Sequence, residues 1–333
     1  MKALYLRRVW PVLASAALVV GLAACSSGSS SSNTTTASSG PELTNITVGV
    51  LESSDDVTVQ IAKDEGFFKQ EGLNVKTVVL PTTNSATTGL LSHTLDFSTE
   101  NYVGMFQQEK AVPTLNLKIV ADNAQATPNL YVMMVAKNSP ITSLAQLKGK
   151  KVSFPAKGFN FGSMASDILL QPYHESAASF TTVALPFSDA PQAVASGEVN
   201  AAFTTEPFIT IMEEGGARIL QDMMTGPLVD FPQDCWGTTA AFASKYPKTV
   251  AAFQRAMEMA LRLAASNTPL VRTELSKFIT TLSPKLASVI TLPTFNTTLS
   301  LARMQRVANT EIRLGALPAN FNVQAMYDPP AGT

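Results

Sequence analysis

Ile46-Thr47-Val48-Gly49-Val50-Leu51 is apolar or β-branched over the length of a strand and breaks off into the polar cluster Glu52-Ser53-Ser54-Asp55-Asp56. A run of this kind bounded by turn residues predicts a buried strand followed by a loop. Residues 57–65 carry apolar side chains at Val57, Ile61 and Ala62 and end at Gly66, which supplies the left-handed stop that helices favour. The β-branched run 75–80 predicts a second strand, closed by Pro81, and Asn84-Ser85 offers an N-cap for a helix over 86–92. A short strand at 95–98, a helix at 101–110 and a strand at 117–121 continue the series. Alternation with such short connections predicts helices layered on a mainly parallel sheet.

A second block repeats the layout. Leu130-Tyr131-Val132-Met133-Met134-Val135-Ala136 is an apolar strand, followed by a strand at 151–154 and a helix at 161–173 opened by Gly162-Ser163. A strand at 181–185, a helix at 189–196, a strand at 200–204 and a helix at 206–214 ending at Gly215-Gly216 complete it. From Lys245 onward only helices are predicted, with Pro247 near the start of a long one and Pro269, Pro284 and Pro293 dividing the rest.

Ahead of both blocks the composition changes abruptly. Lys2, Arg7 and Arg8 precede an uncharged apolar stretch, residues 9–24, which has the basic and hydrophobic regions of a secretory signal and is too short for a comfortable membrane span. Its end, Leu22-Ala23-Ala24-Cys25, resembles the lipobox of bacterial lipoproteins, which makes Cys25 the expected lipidation site. Residues 26–40 are Ser, Thr, Gly, Asn and Ala alone and cannot bury enough surface to order themselves, so they read as a tether reaching on the order of 20 Å. Without residues 1–24 the chain has 21 basic and 25 acidic side chains, a mildly acidic balance with no footprint for nucleic acid. Two cysteines and two histidines build neither a disulfide framework nor a zinc site, so no metal and no cofactor is expected.

Ligands of open α/β sheets sit beyond the carboxyl ends of the strands, so the chemistry is sought in the strand-to-helix loops. These supply Glu52, Ser53 and Asp55; Thr83, Asn84 and Ser85; Glu100, Asn101 and Tyr102; Phe159, Phe161, Gly162 and Ser163; and Thr205 and Glu206, with Trp236 as a further stacking surface. Hydroxyls, amides and aromatic rings with helix N-termini behind them suit reversible recognition of a small polar molecule. No catalytic residue is assigned: the Gly-x-Ser-x-Gly, His-Glu-x-x-His, Walker and Gly-x-Gly-x-x-Gly patterns are all missing. Cys235 reads as a buried inert thiol, and Asp55-Asp56 and Glu213-Glu214 as solvated loop and helix-end charges rather than an acid and a base.

Gly66-Phe67-Phe68-Lys69-Gln70-Glu71-Gly72-Leu73-Asn74-Val75 resembles the "GFF-K-x-x-GL-x-V" signature of ABC-importer substrate-binding proteins of the nitrate, sulfonate, taurine and thiamine-precursor type. Leu95-Asp96-Phe97, the run from Ser143 to Val152, and Gly197-Glu198-Val199-Asn200-Ala201-Ala202-Phe203 with Glu206-Pro207 resemble further motifs of that family in the same order. Asn200 stands where the family usually has Asp, and His93 where it has Gly. The resemblance implies a periplasmic-binding-protein-like fold of type II: two α/β lobes, joined by crossover strands at 130–136 and 236–243 that act as a hinge. The domains would then be a signal segment 1–24, a lipidated tether 25–40, a first lobe 41–129, a second lobe 130–235 and a return to the first at 236–333. It also implies a lipid-anchored, extracytoplasmic monomer that closes on a small-molecule solute and hands it to a permease with a cytoplasmic ATPase. Because Lys157 is the lone base among the cleft loops, against five carboxylates, the favoured ligand is a thiamine-precursor pyrimidine or related nitrogenous compound. Sulfonate, taurine or nitrate is the alternative, and a pyrimidine-synthesising enzyme of the same fold, which would need a cysteine cluster, is a third.

Overall fold

The computed structural model describes residues 40–330, without the side chains of Thr83 and Asn84. The signal segment, Cys25 and the tract to residue 39 lie outside the described residues. Ile46, Val48 and Val50 are buried along β1 (Asn45–Val50), which the polar loop at 51–56 joins to α1 (Val57–Asp64). Gly66 takes the left-handed conformation, φ +75°, that stops this helix and opens α2 (Phe67–Gln70). There follow β2 (Asn74–Val79), α3 (Thr83–Leu91), β3 (Phe97–Asn101), α4 (Tyr102–Ala111) and β4 (Leu117–Gln125).

The chain then crosses into a second sheet. β5 (Tyr131–Val135), β6 (Lys151–Phe154), α5 (Phe161–Leu170), β7 (Thr181–Ala184), α6 (Ala190–Ser196), β8 (Ala201–Thr205), α7 (Phe208–Glu214) and β9 (Arg218–Asp222) form this part. The return runs through β10 (Pro232–Thr239), α8 (Ala240–Lys245), α9 (Pro247–Ser266), α10 (Thr268–Phe278), α11 (Pro284–Ala287), β11 (Thr294–Phe295) and α12 (Leu301–Arg313). Strand order is β11-β4-β10-β3-β1-β2 in the first sheet and β7-β6-β8-β5-β9 in the second. Each crossing arrives at an interior strand, the first at β5 between β8 and β9 and the second at β10 between β4 and β3.

The sheets are mixed rather than mainly parallel. β1 pairs in parallel with β2 and β3, and β6 with β7 and β8, as the strand-helix alternation predicts. β10, however, lies antiparallel to both β3 and β4, and β5 antiparallel to β8 and β9, because a chain that has crossed over enters its new sheet from the opposite end. β9 and β11 had no sequence signal: β9 is only half-buried and so lacks an apolar run, and β11 is two residues long.

Three apolar clusters cover the sheet faces. The largest joins α4 and the inner faces of both sheets, another packs α1, α9 and α10 on the far side of the first sheet, and a small one lies under α6 and α7. In the second, Phe253 of α9 is the hub: its ring stacks on Phe97 with centroids 4.0 Å apart and planes 4° apart, on Phe68 at 5.9 Å, and meets Trp236 edge-on at 6.0 Å. Apolar residues recur at helical spacing along the buried side of α9, from Val250 through Phe253, Met257 and Ala260 to Leu261 and Ala264. At its start, Glu42 accepts the backbone N–H groups of Lys248 at 3.0 Å and Thr249 at 2.8 Å, supplying a negative charge where the helix exposes its donors. α12 is held to β4 by an ion pair, Arg303 Nε to the buried Asp122 Oδ2 at 2.7 Å. Phe253→Ala empties the hub and is expected to cost about 3–5 kcal/mol, read as a lower urea midpoint with an unchanged slope.

Candidate functional site

Between the two sheets lies a cavity of ≈ 230 Å³. Loops leaving the carboxyl ends of β1, β2 and β3 form one wall, with Ser53, Asp55, Thr82 and Asn101, and the loops after β6 and β7 form the other, with Lys157, Phe159, Asn160, Phe161 and Phe187. Tyr131 of β5, Phe203 of β8 and Asp234 of β10 close it. The aromatic wall is a triangle: Tyr131 lies 5.6 Å from Phe203, stacked at 12°, and 5.3 Å from Phe161, edge-on, while Phe161 and Phe203 are 5.9 Å apart. Gly162 permits this packing, since a Cβ there would stand 2.6 Å from both Phe154 and Phe203.

The polar end is built around Asn101. Its Oδ1 caps α4 by accepting from Val103 N at 3.1 Å, and its Nδ2 donates to Gln233 O at 2.9 Å and to Asp234 Oδ1 at 3.2 Å. Tyr131 donates its hydroxyl to the other Asp234 oxygen at 3.3 Å, and Asp55 and Asp234 share the cavity lining. Burial first, then the charge of Asp55, raises the Asp234 pKa well above the usual carboxylate range. Burial also pushes the Tyr131 hydroxyl up, aided by Asp234 and Asp55, so it stays a donor.

Asp55 and Asp56 are buried and not solvated loop charges, a correction to the sequence reading. The loop folds inward: Asp56 accepts Leu51 N at 2.6 Å and the Thr99 hydroxyl at 2.7 Å, and Asn123 donates to the Asp55 carbonyl at 3.1 Å. Burial and then Asp55 raise the Asp56 pKa. On the opposite wall Asn160 and Ser163 cap α5 reciprocally, at 2.9 and 3.0 Å. Lys157, exposed, is the basic side chain on the lining among the described residues.

Of the residues singled out from the sequence, the cavity gathers Ser53, Asp55, Asn101, Phe159 and Phe161. Glu52 lines an adjoining opening with Ser53 and Phe208. Glu100, one residue from Asn101, points to the other face of β3 and accepts the Thr87 hydroxyl at 3.1 Å. Tyr102 is buried against Phe106, and Trp236 lies in the cluster around Phe253. Ser85 bonds Thr82 at 3.1 Å, Thr205 donates to Leu130 O at 2.9 Å, and Glu206 accepts from Thr210 and from Thr291 N at 3.0 Å. The side chains of Thr83 and Asn84, like Cys25, lie outside what is described. Tyr131, Phe203 and Asp234 were missed because they sit inside strands. Asp234 stands where β10 meets the cavity, paired with Asn101, while Trp236 two residues on lies in the far core. Cys235 is a free, buried thiol whose pKa burial pushes up. His93 has φ +57°, the left-handed conformation that explains the glycine of the resembling motif at that place.

A family model described as NMT1/THI5 like matches residues 55–269, more than half of the chain. The chain belongs to the NMT1/THI5-like family. A protein of Escherichia coli strain K12 named for binding aliphatic sulfonates is 33% identical to this NMT1/THI5-like chain over 99 residues; the match spans 28% of the chain and 30% of that relative's length. Among solved structures, the alkanesulfonate-binding protein of Xanthomonas axonopodis pv. citri bound to MOPS superposes with a TM-score of 0.70 at 19% identity, over 86% of this chain and 99% of that one. The periplasmic nitrate-binding protein of Synechocystis PCC 6803 does so with a TM-score of 0.69 at 16% identity, over 86% and 85%. The two-lobed periplasmic-binding-protein fold is thereby shown for this chain.

Outside the cavity, burial pushes the carboxyls of Glu100 and Glu311 up to about 8. Each holds its proton more tightly in the folded than in the unfolded chain, so its stabilisation is complete below the ordinary value of 4.5 and is lost as pH rises toward about 8. Unfolding free energy is expected to fall across that window, and Glu100→Gln and Glu311→Gln are each expected to flatten the slope in urea titrations run at its two ends.

Proposed function

We propose that this chain is the membrane-anchored, extracytoplasmic solute-binding component of an ABC importer. Its solute is a small planar nitrogenous organic molecule, of the thiamine-precursor pyrimidine kind or related to it, taken between the lobes as they close. The observation that carries the reading is the cavity itself: both sheets direct strand-end loops into one space, aromatic on one side and acidic at its buried end. Family membership and the names of the relatives, which are given for binding, support the role. Closure requires that the ligand bind the closed arrangement better than the open one, and a cavity whose walls come from both lobes supplies that difference. A sulfonate, taurine or nitrate ligand is the second reading, favoured by the relatives' names and by Lys157 at the mouth.

Thermal melting of the full chain against pyrimidines, amines, sulfonates, taurine and nitrate separates the readings. A ligand at a hundredfold excess over its Kd adds about 2.7 kcal/mol to the folded state. A rise is expected with nitrogenous aromatic solutes. A rise with anions alone, lost in Lys157→Met, would establish the second reading, and no rise with any would overturn the role. Cys25→Ala is expected to release the folded protein from the membrane fraction; continued lipid labelling of that variant would remove the anchor from the proposal.

A further inference from the structure

We propose that Asp55 and Asp234 form a cation-reading pole of the cleft and that the solute presents to them a planar amidinium-type group, each carboxyl accepting one of its N–H donors. This rests on the solute-binding reading above and specifies the chemistry of the solute.

The two carboxyls arrive from different elements, the loop after β1 and the strand β10, and meet at the lining of one cavity with 5% and 6% of their surface exposed. Two carboxylates side by side out of water are costly, and a positive charge between them reverses the sign of that cost. Among the described residues neither forms an ion pair with Lys, Arg or His. Asp234 is aimed by its two donors, Asn101 and Tyr131, and Asn101 is in turn fixed as the cap of α4, so the acceptor geometry exists before any solute arrives.

A second observation points into the same space. The Ser53 hydroxyl is 95% buried, lines the cavity beside Asp55 and has no hydrogen-bond partner. A buried polar atom left unmatched in this way fits a polar group of a ligand. The aromatic triangle offers ring faces to a flat cation, which compact ammonium groups exploit less fully. The charged and titratable groups facing the pair are Asp56 behind it on the same loop, Tyr131 from β5, Cys235 next to it on β10 and Lys157 on the loop after β6. Lys157 is exposed to water and neutralises little. No group of three or more His, Cys, Asp or Glu side chains among the described residues is placed to hold a metal ion, so a molecular cation is the occupant proposed.

Calorimetric titration and thermal melting of the full chain with benzamidinium, and with benzamide and benzenesulfonate as neutral and anionic shapes of similar size, test the inference. The expected result is binding of benzamidinium and of neither benzamide nor benzenesulfonate. Asp55→Asn and Asp234→Asn should each weaken it on the order of tenfold or more. The ligand-free melting temperature of Asp234→Asn should change little, because the amide keeps an oxygen acceptor and places no charge in the buried site. Benzamidinium affinity unchanged in both variants, or a response to benzenesulfonate alone, would overturn the cation pole and leave the cleft as a solute site. No response to these probes or to any solute of the preceding subsection would overturn both readings.

Discussion

β10 is the constraint on which the rest of the molecule depends. It lies antiparallel between β3 and β4, in the middle of the first sheet, although the whole second lobe separates it from them in the chain. The first sheet cannot be completed until the second lobe has been built and the chain has come back. Its ladder brings Trp236 onto Phe253 and Phe97, and α9 follows to cover that face. The same strand carries Asp234 to the inner side, where Asn101 of β3 and Tyr131 of β5 hold it. One strand thus closes a hydrophobic core and positions a polar site.

The electrostatics of the cleft follow from this arrangement. Three aspartates are gathered near its buried end while the one base of the lining stays in water at the rim. Asp56 accepts from Leu51 and Thr99 behind the cavity, whereas Asp55 and Asp234 stand on its lining, Asp234 held there by Asn101 and Tyr131. A protein selecting a simple anion would be expected to direct donors to this point. Two solved structures that share the fold are named for alkanesulfonate and nitrate, and a common scaffold does not by itself fix the ligand.

Much of the architecture was legible in local sequence. The apolar run of β1 and the Gly66 stop are each a residue type meeting a backbone requirement within a few positions, and each stands where it was expected. The five cavity residues anticipated, Ser53, Asp55, Asn101, Phe159 and Phe161, all lie at or just beyond the carboxyl ends of strands, where the rule for open sheets places them. What escaped notice were β9, β11 and the antiparallel entries of β5 and β10, which depend on partners far along the chain.

The local periodicity of side chains determined the elements, the two α/β blocks and the loops at which a ligand could sit, because those properties are written in residues a few positions apart. Tertiary structure alone decided which neighbouring side chain faces the cavity. Glu100 and Asn101 are adjacent on β3, yet only the second reaches the cleft, and Asp234 and Trp236 part company across an irregular ladder. A strand's two faces are equivalent until packing assigns one of them to a core, and two aspartates some 180 residues apart become one buried pair only when β10 returns to the first sheet.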